Sequence, residues 1–263
     1  MADRRAKAVD KAQAPGGVRS VERAVSVLRA FTAERPHLPL GEIAARAALD
    51  KATARRLLLT LSSLGLITQD GNTGSYALGS RVLELSAAVP QVSELREAAG
   101  PILARLALAT QTTAFLSVYR DGQAICVERF HGNQPVQVSW WQIGGALPLH
   151  CGAAPRVLLA FLPEAEAEAM LARPLIRLTP KGETRPEMLR RRLRRIRKMG
   201  WELSADDVAE GLAALGLPVR DRTGAVVAAL SLGGLTPHLA HRGQPRFLRE
   251  ALAATEEIAA RLG

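Results

Sequence analysis

Apolar residues recur at helical spacing in two adjacent stretches between Leu40 and Leu66. Ile43, Ala44, Ala47 and Leu49 form a short first face, and Thr53, Leu57, Leu58, Leu61 and Leu64 form a second. This periodicity predicts two helices joined by a tight turn. Asp50 stands where the second helix needs an N-cap, and Gly65 stands where a residue with positive φ can end it. Leu66–Thr68 and Ser75–Leu78 then read as two short strands around a loop containing Asp70-Gly71. A helix-turn-helix followed by a hairpin is a winged helix. Upstream, Val21, Ala24, Val25, Leu28 and Phe31 predict an amphipathic helix over Ser20–Ala33, with Ser20 as its cap.

After Pro90 the helical period returns in Leu95, Ala98, Ile102, Leu106 and Ala109, which predicts a helix over Ser93–Gln111. The period then changes. Strands are expected at Thr113–Arg120, Gln123–Arg129, Gln134–Trp141, Val219–Arg222 and Ala225–Ser231, with turns at Asp121-Gly122 and Thr223-Gly224. Helices are expected from Pro155, over Pro186–Met199 and over Arg246–Leu262. Helices flanking an antiparallel sheet make an α+β domain. The expected organisation is therefore a disordered arm over 1–18, a winged helix over 19–78, an apolar linker helix over 79–91 and a second domain over 92–263. Arg4, Arg5, Lys7 and Lys11 in the arm could graze phosphates.

Charge sharpens this picture. The 263 residues carry a formal net charge of +10, which suits an anionic partner, nucleic acid first. Residues 1–90 hold only half of the excess. Lys51, Thr53, Arg55 and Arg56 lie at or near the start of the second helix of the pair, where a recognition helix presents residues to bases and phosphates. Arg190–Lys198 is also densely basic, but Leu189, Leu193 and Ile196 run through it, so a solvated amphipathic helix is favoured over a second DNA contact. Two cysteines, Cys126 and Cys151, form neither a disulfide framework nor a metal spacing and fit a reducing cytoplasm. No apolar stretch approaches a membrane span, and no signal peptide is expected.

Between Leu147 and Pro155 small residues leave backbone N–H groups open to approach. A helix starting near Pro155 adds a favourable dipole, so this turn could form an anion nest for a small carboxylate. His150-Cys151 could be read as a catalytic pair, but no orienting acid or oxyanion donors accompany it, and a packed free cysteine is favoured. Asp206-Asp207 is expected to cap a following helix rather than to serve as acid and base.

Arg19-Ser20-Val21-Glu22-Arg23-Ala24, the Leu40–Leu61 stretch, Ile143–His150, Asp206-Asp207, Gly211, Leu217-Pro218-Val219 and Ala225–Gly234 together resemble the IclR-type family of bacterial transcriptional regulators over about residues 19–262. The resemblance implies an N-terminal winged helix-turn-helix and a C-terminal GAF-like α+β ligand-binding domain. It also implies double-stranded operator DNA and a small-molecule effector as partners, a homodimer or homotetramer, and no cofactor or metal. The DNA-binding set is then Arg19, Lys51, Ala52, Thr53, Arg55, Arg56 and Asn72. The effector set is Val136, Ser139, Leu147, Gly152, Ala153, Ala154, Ser204, Asp206, Asp207, Ala214, Ser231 and Gly233. Family members often carry a cysteine at the position of Ala214 and a serine at that of Gly233, so this pocket is expected to be more apolar. A small organic acid is the expected effector, and Trp140 or Trp141 would admit an aromatic one. The alternative is an enzyme using the C-terminal cavity, with the N-terminal domain as an interaction module.

Overall fold

The computed structural model describes residues 17–32, 35–88, 90–134, 138 and 141–262. The expected arm and most of the expected strand Gln134–Trp141 lie outside these residues, as do Val136, Ser139 and Trp140. Gln134, Val138 and Trp141 are described and belong to no strand. The chain divides into two compact units, Met1–Val89 and Pro90–Gly263.

The first unit contains α1 (Arg19–Leu28), α2 (Leu40–Arg46), α3 (Lys51–Ser63), β1 (Ile67–Gln69), β2 (Tyr76–Leu78) and α4 (Arg81–Ala87). Val27, Phe31, Leu38, Ile43, Leu58, Leu61, Ile67 and Tyr76 meet in its core. Asp50 caps α3 by accepting the Thr53 N–H at 2.8 Å, and Gly65 ends the helix with φ +73°. The wing gains a third edge because Leu38 exchanges two backbone hydrogen bonds with Tyr76. Ser20 does not cap α1. The helix starts one residue earlier, at Arg19, and its N-cap Val18 offers no side-chain bond.

In the second unit the described residues form a six-stranded antiparallel sheet ordered β5-β4-β3-β8-β7-β6. The elements are α5 (Pro90–Thr110), β3 (Thr113–Arg120), β4 (Gln123–His131), β5 (Ala146–Pro148), α6 (Ala153–Phe161), α7 (Glu164–Leu171), α8 (Pro186–Met199), β6 (Glu202–Ala205), β7 (Leu212–Arg220), β8 (Val226–Leu235), α9 (Thr236–Leu239), β9 (Ala240–His241), β10 (Gln244–Pro245) and α10 (Leu248–Arg261). Side chains alternate across the sheet. Leu116, Val118, Leu215 and Leu230 pack with α5 and α10 on one face, and Phe115, Cys126 and Ala229 pack with α6, α7 and α8 on the other. Asp121 and Gly122 both have positive φ, which matches the tight turn between β3 and β4.

Two further expectations are corrected. No helix follows Asp206-Asp207, which lie in the loop between β6 and β7, so they cap nothing. The β7–β8 hairpin begins at Leu212 rather than Val219, because the Leu212–Pro218 segment pairs fully with β8.

Candidate functional site

On α3 the buried residues Ala54, Leu58 and Leu61 fix which side faces the core. The opposite side presents Lys51, Ala52, Arg55 and Arg56, all exposed. None of these three cations has an acidic partner among the described residues, whereas Arg35 and Arg46 on the same unit are both tied to Glu42. Thr53 is half-buried, and its N–H serves the Asp50 cap. Arg19 and Asn72 are exposed, and the wing loop is held by Asp70, which accepts the Asn72 and Thr73 N–H groups. Those bonds keep the Asp70 carboxyl below its usual range. The unit thus offers a rigid helix end rich in free donors.

The second unit contains a small cavity beside the start of α6. Leu147, Gly152, Ala153, Ala154, Ser204, Asp207, Ala214, Ser231 and Gly233 line it together with Phe115, Val138, Trp141, Val208 and Leu212. Nine of the twelve effector candidates therefore share one cavity. Asp206 does not line it. Its φ is +60°, and it bonds Lys181 and the Gly211 N–H instead. The other two, Val136 and Ser139, lie outside the described residues. Gly216 lets α6 land here, because a Cβ on it would stand 2.7 Å from the Ala153 carbonyl carbon.

Beside the cavity lies a buried charge cluster. Arg156 is 1 % exposed and donates to the His150 carbonyl at 2.9 Å, to Glu202 at 3.3 Å and to Asp207. Asp207 also accepts from Ser204 and, at 3.1 Å, from the Gly152 N–H. Glu202 is fully buried and further bound by Arg192 and Arg195. One amide of the turn expected to nest a ligand anion, that of Gly152, is therefore already occupied by a carboxylate of the chain itself. Arg156 and Glu202 were missed from sequence. The available signal was a lone arginine within the otherwise apolar run Ala153–Phe161, because a buried cation needs a buried partner.

His150 and Cys151 do not form a nucleophile pair. His150 bonds the Ile176 carbonyl at 2.8 Å, and burial pushes the Cys151 thiol up to about 12, so it is not a thiolate at neutral pH. On α8, Arg190 pairs with Glu168, and Arg192 and Arg195 pair with Glu202; Arg191, Arg194 and Lys198 are exposed.

Comparison with known proteins decides what these two arrangements belong to. The model of the IclR helix-turn-helix domain matches residues 20–71, and that of the bacterial transcriptional regulator IclR C-terminal domain matches residues 87–260. The chain belongs to the IclR family of bacterial transcriptional regulators. Among IclR-family relatives, it is 32% identical to the glycerol operon regulatory protein of Streptomyces griseus over 244 residues, covering 92% of this chain and 94% of the relative. It is 31% identical to the HTH-type transcriptional regulator XynR of Escherichia coli over 220 residues, covering 83% and 87%. An IclR homolog from Microbacterium hydrocarbonoxydans, solved in complex with 4-hydroxybenzoate, superposes with a TM-score of 0.81 at 26% identity, covering 92% of this chain and 98% of that one. In this IclR-family regulator no described helix is long and apolar enough to cross a membrane.

Proposed function

We propose that this DNA-binding regulator reads its operator with the N-terminal end of α3 and is controlled by a small molecule bound in the cavity beside α6. The observation that carries the first half is the set of Lys51, Arg55 and Arg56, exposed and without acidic partners among the described residues, on a helix whose other side is locked in the core. Successive side chains on a helix diverge by about 100°, so these residues divide between base edges and phosphates. Arg19 and Asn72 contact backbone phosphates. Leu147, Gly152, Ala153, Ala154, Ser204, Asp207, Ala214, Ser231 and Gly233 hold the effector, and no residue here acts as a catalyst.

One reader offers few base contacts, so specificity needs two half-sites and therefore at least a homodimer. Leu83 and Leu85 on α4 are 73% and 58% exposed and supply an apolar contact for a second copy. The setting is the cytoplasm, where DNA and metabolites are both accessible. Selection from a random-sequence duplex pool tests the reading: the wild-type chain enriches one two-half-site sequence, and a Lys51/Arg55/Arg56→Ala variant enriches none. Equal enrichment by both would sink the docking. A stable monomer in sedimentation at micromolar concentration, with full operator affinity, would sink the assembly.

A further inference from the structure

The closing helix α10 has two unlike sides. Ala251, Ala254 and Ile258 pack into the core of the second unit. Arg249, Leu252, Ala253, Glu256 and Ala260 are exposed and fall on the opposite side. Their spacing, i, i+3, i+4, i+7 and i+11, is that of a seam by which one helix meets another. Leu252 is 40% exposed at its middle. Ala253 and Ala260 are small enough for a second backbone to come close. A shallow groove runs along this stripe, lined by Arg249, Leu252, Ala253 and Glu256 with Pro245 and Arg246 at one end.

The charges on the stripe are not spent within the chain. Among the described residues Arg249 and Glu256 take part in no ion pair, whereas the neighbouring Glu257 is bound by both Arg105 and Arg261. Arg249 and Glu256 lie two turns apart, roughly 10 Å along the helix. Their midpoint falls between Leu252 and Ala253. A second copy of the helix, laid antiparallel about a two-fold axis through that midpoint, brings Arg249 of each copy to Glu256 of the other. The same operation sets Leu252 against Ala253 and Pro245 against Ala260. Opposite charges and a large-against-small apolar pair thus coincide in one register, as a self-complementary two-fold interface requires. A parallel copy would set Arg249 against Arg249 and Glu256 against Glu256, so the pattern selects orientation as well as partner. The five stripe residues carry one charge of each sign and offer a polyanion no net attraction.

We propose that α10 is a self-association face, on which two copies of the chain pack this stripe antiparallel with Arg249 of each copy paired to Glu256 of the other. The face belongs to the second unit alone and is separate from the α4 contact proposed above. Added to that contact, it carries a dimer on to a tetramer. One helix pair is a small interface, so association through it is concentration-dependent.

The test is sedimentation of the full chain over a micromolar concentration series. Arg249→Glu and Glu256→Arg each put like charges at both symmetry-related contacts, and each is expected to weaken association by at least about tenfold. The double variant Arg249→Glu/Glu256→Arg restores it. An equal mixture of the two single variants restores it as well, because every contact between unlike copies again joins an acid to an arginine. These differences shrink in about 1 M salt, where the Debye length is about 3 Å. All the substituted side chains are exposed, so equal melting temperatures confirm that the variants differ in assembly and not in folding. Single variants that associate as the wild type does, or a double variant and a mixture that associate no better than the singles, overturn the proposal. The state to which the single variants fall reads the α4 contact separately: a dimer keeps that contact, and a monomer removes it.

Discussion

In the first unit Lys51, Arg55 and Arg56 stand exposed without acidic partners among the described residues, whereas in the second Arg156 is 1% exposed and bound to Asp207, Glu202 and the His150 carbonyl. The difference lies in what the rest of the fold does with the guanidinium. On α3 none of the three cations forms an ion pair among the described residues, so the charge stays available to phosphates and bases. Around α6 two acids converge from β6 and the loop after it, so the charge is spent inside the protein and shapes a wall. Outward cations should therefore matter for binding and little for folding, and inward ones the reverse.

The sharpest separation comes from replacing Lys51, Arg55 and Arg56 together by alanine. Operator affinity should fall by at least about a hundredfold, through lost phosphate neutralisation and base contacts. The melting temperature should stay unchanged, because no ion pair among the described residues is broken. Unchanged operator affinity in a titration would break the comparison on its outward side.

Arg156→Met is its mirror. Removing one member of a buried ion pair strands the others, and the second unit should lose about 3–5 kcal/mol in denaturant unfolding. A variant as stable as the wild type would show that the cluster is not held by charge.

A smaller effect separates the two kinds of outward contact. Arg56→Ala should cost about 1–3 kcal/mol if the guanidinium grips a guanine, and specificity should relax at that base pair. Arg19→Ala should weaken all sequences alike and reduce the salt slope by about one. Identical behaviour of the two variants would show that α3 does not read bases.

How far each side was legible follows from chain distance. The reader could be found in the sequence because Asp50, the α3 stripe and Gly65 act within a few residues of one another. The β3–β4 turn could be found because Asp121-Gly122 is a local signal, and α8 because Pro186 and Gly200 bracket it. The cluster could not be found, since Arg156 meets partners 46 and 51 residues away. β6 and the first half of β7 escaped for another reason: Leu212–Pro218 contains no β-branched residue and is held in the sheet by its neighbours. The Leu147–Pro155 turn was expected to nest a ligand anion, and its Gly152 N–H instead donates to Asp207 of the chain, 55 residues on.

The smallest predicted effect is one of pH. Hydrogen bonds from Thr53 hold the Asp50 carboxyl below its ordinary 3.8. The cap's contribution is therefore complete above about that value and is lost as pH falls through the lowered folded value. Thermal melts of the wild type against Asp50→Asn should converge as the pH is taken below 3.8. A constant difference across that range would remove the cap from the account.

The central claim joins the two regions: a ligand in the cavity beside α6 changes how tightly α3 holds DNA. A ligand can do this only by binding the DNA-competent and DNA-incompetent arrangements unequally. The direct measurement is operator affinity with and without a panel of small organic acids, aromatic ones included, on the wild type and on Ala153→Trp. The account predicts that at least one compound shifts wild-type affinity by about 5–150-fold, the usual coupling range. It also predicts that Ala153→Trp binds the operator as the wild type does without ligand and answers to no compound. An Ala153→Trp protein that responds as the wild type does would contradict it, because the controlling site would then lie elsewhere.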